Sequence, residues 1–181
     1  MIELLVVITI VAALAAMSFA GINAALTKTK TTQAKAAADN VAKAVRDFQT
    51  KYSYLPPVSD EQRVDLNSQS GVELLKILLA EEDEGSKIYN KSKITFLKAE
   101  TAKSRKNGLD YGPGGNSSTV RGMYDTFGNT YTVFMNIDGE KKLEFMWGNK
   151  QYELRNEDVA VCSPGADMTV GTDDDVLTFN K

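Results

Sequence analysis

The N-terminal third of the sequence joins a long apolar stretch to an amphipathic one. No ionisable side chain stands between Glu3 and Lys28, and neither Pro nor Gly occurs between Ala24 and Tyr52. In the second part, apolar residues recur at steps of three and four, the spacing of one helix face: Ala34, Ala38, Val41, Val45, Phe48 and Tyr52. The pattern predicts one helix from the first residues to about residue 53, roughly 80 Å long at 1.5 Å per residue.

The charge-free stretch predicts a transmembrane first half of this helix, over residues 1–26. As a helix it would be roughly 36 Å long, enough to cross a hydrocarbon core of roughly 30 Å. A secretory signal peptide would begin with positive charge and end at a cleavage site, whereas here an acid stands at position 3 and the helical pattern continues. Gly21 is the weak point, because Gly costs about 1 kcal/mol relative to Ala in a helix. We expect local unwinding over residues 16–23, which would give a curved assembly length to spare and makes Gly21 a candidate assembly residue.

Beyond the helix the apolar pattern breaks into short segments. Leu55-Pro56-Pro57 ends the helical period. Residues 71–84 predict a short second helix, and residues 88–97 predict a strand. The Gly-rich run 112–118 is not followed by Gly-Lys-Ser/Thr, so it predicts a surface loop and not a phosphate cradle.

The C-terminal part of the chain predicts a β-meander. Apolar positions alternate over residues 131–135 and 143–147, with turn residues at 136–139, and a third candidate strand covers 158–162. One long helix and a small antiparallel sheet of three or four strands make an α+β fold. We expect the sheet to cover the apolar stripe of the helix.

Composition narrows the chemistry that the chain can perform. The 181 residues include no His, which excludes His-based triads and His-ligated zinc, so an enzyme is not expected. Cys162 is the single cysteine and is predicted to be a small buried strand residue. A net charge of −3 argues against nucleic-acid binding. Basic residues dominate 27–51, however, and acidic residues dominate 157–181.

The first residues, Met1-Ile2-Glu3-Leu4-Leu5-Val6-Val7-Ile8, resemble the start of mature type IV pilin-like proteins. That family includes type IV pilins and the pseudopilins of type II secretion. The resemblance implies a pilin-like fold, insertion into the bacterial inner membrane, leader removal by a prepilin peptidase, and methylation of the new amine. It also implies assembly on a platform into a helical periplasmic or extracellular filament. The family pattern places this Glu fifth, so we expect two residues before Met1, with the cleavage site among them.

Two further motifs are similar to those of the G-type major pseudopilins. The segment Asp125-Thr126-Phe127-Gly128-Asn129-Thr130-Tyr131 resembles the one that opens their sheet. Their calcium loop is similar to Ser163-Pro164-Gly165-Ala166-Asp167 followed by Gly171-Thr172-Asp173-Asp174-Asp175-Val176. The implied organisation is a filament-core helix over 1–26 and a globular domain over 27–181. That domain divides into the amphipathic half-helix 27–53, a variable region 54–120, and the meander with its acidic loop, 121–181.

The resemblance implies one structural calcium ion in the C-terminal loop. Its best side-chain ligands would be Asp167, Asp173 and Asp175, with Ser163 in the same motif and Asp174 turned outward. Calcium takes six to eight oxygen ligands in flexible geometry, which carboxylates at both ends of a loop and carbonyls between them can supply. On composition alone a solvated acidic tail is the stronger interpretation, and the spacing is not that of an EF-hand.

Glu3 and the apolar helix leave two classes of function open. An ionised carboxylate at membrane depth costs about 2.5 to 3.5 kcal/mol, so Glu3 either lies at the headgroup boundary or has a partner. The resemblance implies that it neutralises the N-terminal amine of an adjacent subunit. The first class is therefore a homo-oligomeric filament subunit, a pilin or a pseudopilin. The alternative is a monomeric, membrane-anchored, calcium-dependent binding domain. Asn90 and Asn116 also fit the glycosylation acceptor pattern.

Overall fold

The structure is a computed structural model, and its longest element is an N-terminal helix. It describes residues 2–83, 87–112 and 119–179, without the side chains of residues 15–21. Helix α1 spans Ile2–Tyr52, which confirms the predicted single helix and its end within one residue. No helix in the described part of the chain has the length and apolarity needed to cross a membrane. The transmembrane assignment of residues 1–26 is therefore not borne out.

A four-stranded antiparallel sheet packs on the second half of α1. Its strands stand in the order β1-β4-β7-β8, and they are β1 (Arg63–Asp65), β4 (Thr132–Met135), β7 (Val159–Ser163) and β8 (Val176–Leu177). Helix α1 contacts β7 and β8. The predicted α+β arrangement, a long helix on a small antiparallel sheet, is confirmed.

The sheet is buried on both faces. Along β7, Val159 and Val161 belong to the core that includes α1, whereas Ala160 and Cys162 belong to a second apolar cluster. Successive side chains of a strand point to opposite faces, so the two clusters lie on the two sides of the sheet. Cys162 is thus the small buried strand residue that the sequence predicts. Burial raises the pKa of its thiol, and the Asp175 charge adds to that effect.

The second cluster is closed by a β-hairpin that the sequence analysis did not predict. Strands β5 (Lys142–Trp147) and β6 (Lys150–Arg155) pair with each other, and β4 pairs with β7 instead of β5. The expected meander order is therefore wrong, although strands do form at the three predicted places. Gly148 and Asn149 make the two-residue hairpin turn, with Gly148 at φ +61°. A Gly-Asn pair between two strands is the signal that could have revealed β6.

The apolar stripe of α1 meets the sheet as predicted. The side chains of Ala34, Ala38, Val41, Val45 and Phe48 are buried, and Tyr52 packs against them half-buried. Helix α2 (Gln69–Leu79) adds Leu74, Leu75, Ile77 and Leu78 to the same core. It begins two residues before the predicted range 71–84, where the Ser68 side chain caps it, and it ends earlier, at Leu79, because Ala80 adopts a left-handed conformation.

The region between α2 and β4 contains little regular structure. Strands β2 (Gly108–Asp110) and β3 (Gly122–Tyr124) form a separate two-stranded sheet. Residues 88–97 form no strand, so that prediction is wrong. The buried Asn90 side chain instead fixes this segment, because its amide donates to the carbonyls of Ile77 and Ile94 and its oxygen accepts from Tyr52. Most of the predicted loop 112–118 lies outside the described residues, which end at Gly112 and resume at Thr119.

Candidate assembly surface and C-terminal loop

The first half of α1 extends beyond the globular domain. Between residues 2 and 33 none of the described side chains is buried, and Ala34 is the first residue of the helix in the core. At 1.5 Å per residue, this uncovered part is roughly 45 Å long. Its large aliphatic side chains keep 50% to 82% of their surface exposed: Ile2, Leu4, Leu5, Val6, Val7, Ile8, Ile10, Val11, Leu14, Ile22 and Leu26. We call this part of α1, residues 2–33, the uncovered half-helix.

Both residues predicted to act in assembly lie on the uncovered half-helix. Glu3 stands in the first turn of α1 and is exposed. A negative charge there also interacts favourably with the positive end of the helix dipole. The backbone is helical through Gly21, so residues 16–23 show no unwinding in the single chain. Unwinding in an assembled state stays a prediction.

The segment 125–131 attaches the globular domain to the point where α1 leaves it. The Thr126 hydroxyl donates to the Lys30 carbonyl over 2.9 Å, and the Tyr131 hydroxyl donates to the Ala34 carbonyl over 3.0 Å. These two helix carbonyls lie one turn apart on one face. Burial raises the pKa of the Tyr131 hydroxyl, and the nearby Asp125 charge raises it further. The hydroxyl therefore remains a donor throughout the physiological range.

Asp125 is the centre of this segment and is fully buried. One carboxylate oxygen accepts the backbone N–H groups of Phe127, Gly128 and Asn129, at 2.7 to 2.8 Å. The other accepts the Asn129 amide at 3.1 Å and the Ser163 hydroxyl at 2.5 Å. Five donors thus compensate the desolvation of one buried carboxylate. The motif is visible in the sequence, whereas this role of Asp125 depends on the folded backbone.

The same segment holds the start of the C-terminal loop. Ser163, predicted as part of the calcium motif, bonds to Asp125 and not to the acidic residues that follow it. The Asn129 amide also donates to the Gly165 carbonyl over 2.6 Å. Gly165 has φ +76°, and a Cβ there would lie 2.2 Å from the Asp174 carbonyl oxygen, so only glycine fits. The two motifs recognised separately in the sequence form one hydrogen-bonded unit.

Asp174 links the two ends of the C-terminal loop by hydrogen bonds. Its carboxylate accepts the backbone N–H groups of Ala166 and Asp167 at 2.7 and 2.9 Å, and the Thr172 hydroxyl at 2.7 Å. The Thr172 hydrogen bond, followed by the two backbone bonds, lowers the pKa of Asp174. The expectation that Asp174 turns outward is therefore wrong: three donors inside the loop hold its carboxylate.

Asp175 joins the loop to the β5–β6 hairpin. Its carboxylate is buried and accepts the Trp147 indole N–H at 3.0 Å and the Gly171 N–H at 2.9 Å. The hairpin turn approaches the same loop, since a Cβ at Gly148 would lie 2.8 Å from the Val170 carbonyl oxygen. Trp147 is a partner that sequence analysis missed, because nothing in its local sequence indicates a contact with residue 175.

The other two acidic residues of the loop point to solvent. Asp167 is exposed and accepts the Thr169 N–H, and the Asp173 side chain is fully exposed with Lys150 Nζ at 4.0 Å. Within the described part of the chain, no three acidic or cysteine side chains come together as a metal site. In this arrangement N–H and O–H donors hold the carboxylate of Asp174 and one carboxylate oxygen of Asp175. The calcium ion that the resemblance implies stays a prediction.

Comparison with known proteins adds no further assignment. No protein-family model, curated protein or solved structure matches the chain. The structural features that bear on function are therefore the uncovered half-helix and the unit formed by residues 125–131 and the C-terminal loop.

Proposed function

We propose that the chain is a structural subunit that polymerises with copies of itself into a helical filament of the type IV pilin-like kind. The observation that carries the proposal is the uncovered half-helix, a rod of aliphatic side chains that leaves a domain with a complete core of its own. Monomeric soluble proteins rarely expose contiguous apolar patches beyond a few hundred Å². Such a surface indicates a partner.

Copies of the same chain are the partner that fits this rod best. Parallel helices pack 8–10 Å apart when their side chains interdigitate. Each square ångström of apolar surface removed from water contributes about 25 cal/mol. Because the aliphatic side chains surround the rod, one neighbour cannot cover them all. A bundle of rods with the globular domains outside it can.

Glu3 would fix the axial register between neighbouring helices in such a bundle. A carboxylate enclosed among apolar helices is costly unless a cation neutralises it. The resemblance supplies that cation as the N-terminal amine of an adjacent subunit. Only one axial offset between neighbours would bring the two charges together.

The processing and location of the subunit remain proposals drawn from the resemblance. They are removal of a leader by a prepilin peptidase, methylation of the amine, and assembly on a platform at the bacterial inner membrane into a periplasmic or extracellular filament. A structural calcium ion belongs to the same set. Because the acidic side chains of the described loop do not converge, thermal unfolding with and without calcium tests it.

The experiment compares filament yield after charge is placed in the rod. Ile10→Glu and Leu14→Glu put a carboxylate into a surface that the filament must bury, so sheared and sedimented fibres should fall by more than about tenfold. Lys91→Glu, at an exposed site of the domain, changes the charge by two units against one for each rod variant, and it should leave the yield unchanged. A wild-type chain that stays monodisperse under all conditions would contradict the proposal and favour a monomeric binding domain.

A further inference from the structure

The core-facing stripe of α1 continues below the globular domain as an uncovered face. Ala34 and Ala38 are buried in the core. At the same four-residue spacing toward the N-terminus stand Lys30, Leu26 and Ile22. Leu26 and Ile22 expose 54% and 55% of their surface. The helix face that the chain's own domain covers above residue 33 is therefore open immediately below it.

Positive charge marks the upper end of this open face. Lys30 is exposed, and its carbonyl accepts the hydrogen bond from Thr126. Lys106 is also exposed and lies beside the same segment, because its Cε is 3.4 Å from the position of a Cβ at Gly128. Neither lysine pairs with an acidic residue in the described ranges. We call Ile22, Leu26, Lys30 and Lys106 the helix-exit face.

The tip of the C-terminal loop carries the complementary pattern. Met168 and Val170 expose 64% and 44% of their surface. They are flanked by two exposed acidic residues, Asp167 and Asp173, and the carboxylate of Asp173 lies 4.0 Å from Lys150 Nζ of the same chain. An apolar centre with a charged rim is typical of protein–protein interfaces. We call residues 167–173 the loop tip.

We propose that the helix-exit face of one copy is covered by the loop tip of a second copy. Met168 and Val170 would pack on Leu26 and Ile22, while Asp167 and Asp173 would face Lys30 and Lys106. This inference depends on the proposed filament, and it names the contact that joins the domains of neighbouring subunits. Two features argue for a second copy: the opposite charges of the faces, and the continuity of the helix-exit face with the stripe that the chain covers itself.

The contact is heterologous, so it can propagate. Each copy carries both faces, held in a fixed relation by segment 125–131, which bonds to Lys30 through Thr126 and to Gly165 through Asn129. When one patch meets a different patch on the next copy, the contact repeats in a ring or an open helix. Every subunit in a filament then makes the contact twice.

The contact can be tested by reversing the charges on each face and then mixing the two reversed variants, which should restore assembly. Lys30→Glu with Lys106→Glu makes both faces acidic, and Asp167→Lys with Asp173→Lys makes both basic. Each variant alone should lose at least about tenfold in sedimented fibre, because like charges across an interface repel. An equimolar mixture should recover fibres, because every junction between the two variants has opposite charges again. Lys141→Glu with Asp60→Lys, both exposed in the domain, is the control and should assemble like wild type.

Melting curves would show whether a reversed variant fails to fold. Cross-linking then tests the contact without reversing any charge. Chains with Leu26→Cys and chains with Met168→Cys are mixed, assembled and treated with a short thiol cross-linker. Dimers should form between the two variants and not within either alone, and the buried Cys162 should add no background. Unchanged fibre yield in both reversed variants, or no mixed dimers in assembled fibres, would overturn the contact and leave the filament itself standing. A wild-type chain without fibres would overturn both.

Discussion

The Ser163 hydroxyl donates a hydrogen bond to the buried carboxylate of Asp125, with 2.5 Å between the oxygens. These residues are far apart in the sequence, at the start of the C-terminal loop and in the segment that holds the helix. The bond makes the helix exit, the sheet and the loop parts of one polar unit.

Asp125→Ala should destabilise the domain more than any other single acidic substitution. It leaves the backbone N–H groups of three half-buried residues without their acceptor, and each unsatisfied buried group costs about 1 to 3 kcal/mol. We expect a loss of at least about 3 kcal/mol in urea unfolding, with Asp125→Asn intermediate, because an amide oxygen still accepts. The exposed Asp60→Ala should change stability by less than about 0.5 kcal/mol. Equal effects of the two alanine variants would contradict the role of Asp125.

Asn90 should carry no glycan, although it fits the acceptor pattern. Its amide is buried and donates to Ile77 and Ile94, so it is closed to modification in the folded chain. Asn90→Ala should cost about 2 kcal/mol or more in stability. Ser92→Ala removes the acceptor pattern but keeps those bonds, so it should fold like wild type with an unchanged mass. A glycan on Asn90 in mass spectrometry of the native protein would refute this placement.

Acid should open the C-terminal loop through Asp174. Hydrogen bonds in the folded loop hold the pKa of this carboxyl below its ordinary value of 3.8. A lowered pKa means that the stabilisation is complete above the unfolded value and is lost as pH falls through the folded value. Amide exchange at Ala166 and Asp167 should therefore be slow near pH 6 and accelerate, beyond the intrinsic pH trend, below about pH 4. Asp174→Asn should abolish this acid-induced step, whereas Asp173→Asn should retain it.

Calcium is tested by melting the full chain in chelator and in millimolar calcium. If the loop binds the ion only when folded, a concentration of about 100 times Kd stabilises it by roughly 2.7 kcal/mol, and the melting temperature rises. We expect that rise to disappear in Asp173→Ala and to persist in Asp47→Ala, which lies on α1. Magnesium should substitute poorly, because it demands strict octahedral geometry. Coincident curves in chelator and calcium would mean that hydrogen bonds alone close the loop.

Glu3→Ala should fold normally but assemble poorly. The residue is exposed at the start of α1, far along the helix from the core, so melting of the domain should not change. Filament yield should fall, because the uncovered half-helix loses its only ionised side chain before Lys28. Glu61→Ala, an exposed acid of the domain, is the matched control. If Glu3→Ala gave as many filaments as wild type, the proposed charge pairing of Glu3 would be wrong.

Local pattern was sufficient to predict the long helix, its buried stripe, the buried Cys162 and the α+β class. A period of three and four along α1 depends only on neighbouring residues, and the core confirms it from Ala34 to Tyr52. Strand partners do not follow from such a pattern, which is why β4 was expected beside β5 and not β7. Strands of two or three residues, such as β1 and β8, are too short to show any alternation.

The site was harder to predict because it, too, depends on contacts between residues that are distant in the sequence. The motif around residue 125 and the acidic loop were both visible in the sequence, but their connection through Ser163 and Asn129 is tertiary. The orientation of four carboxylates within nine positions depends on which backbone N–H groups the folded loop presents. Asp174 faces two of them and Asp173 faces solvent, the reverse of what the resemblance implies.

The most direct test of the account is a high-resolution image reconstruction of fibres formed by the full chain. The account predicts that the uncovered half-helices of neighbouring copies pack together along the axis, with Val7, Val11 and Leu14 buried and the globular domains outside. It also predicts a loop tip seated on the helix-exit face of the next copy and a departure from α-helix over residues 16–23. Fibres whose uncovered half-helices remain on the outer surface, or a chain that forms no fibres, would contradict it.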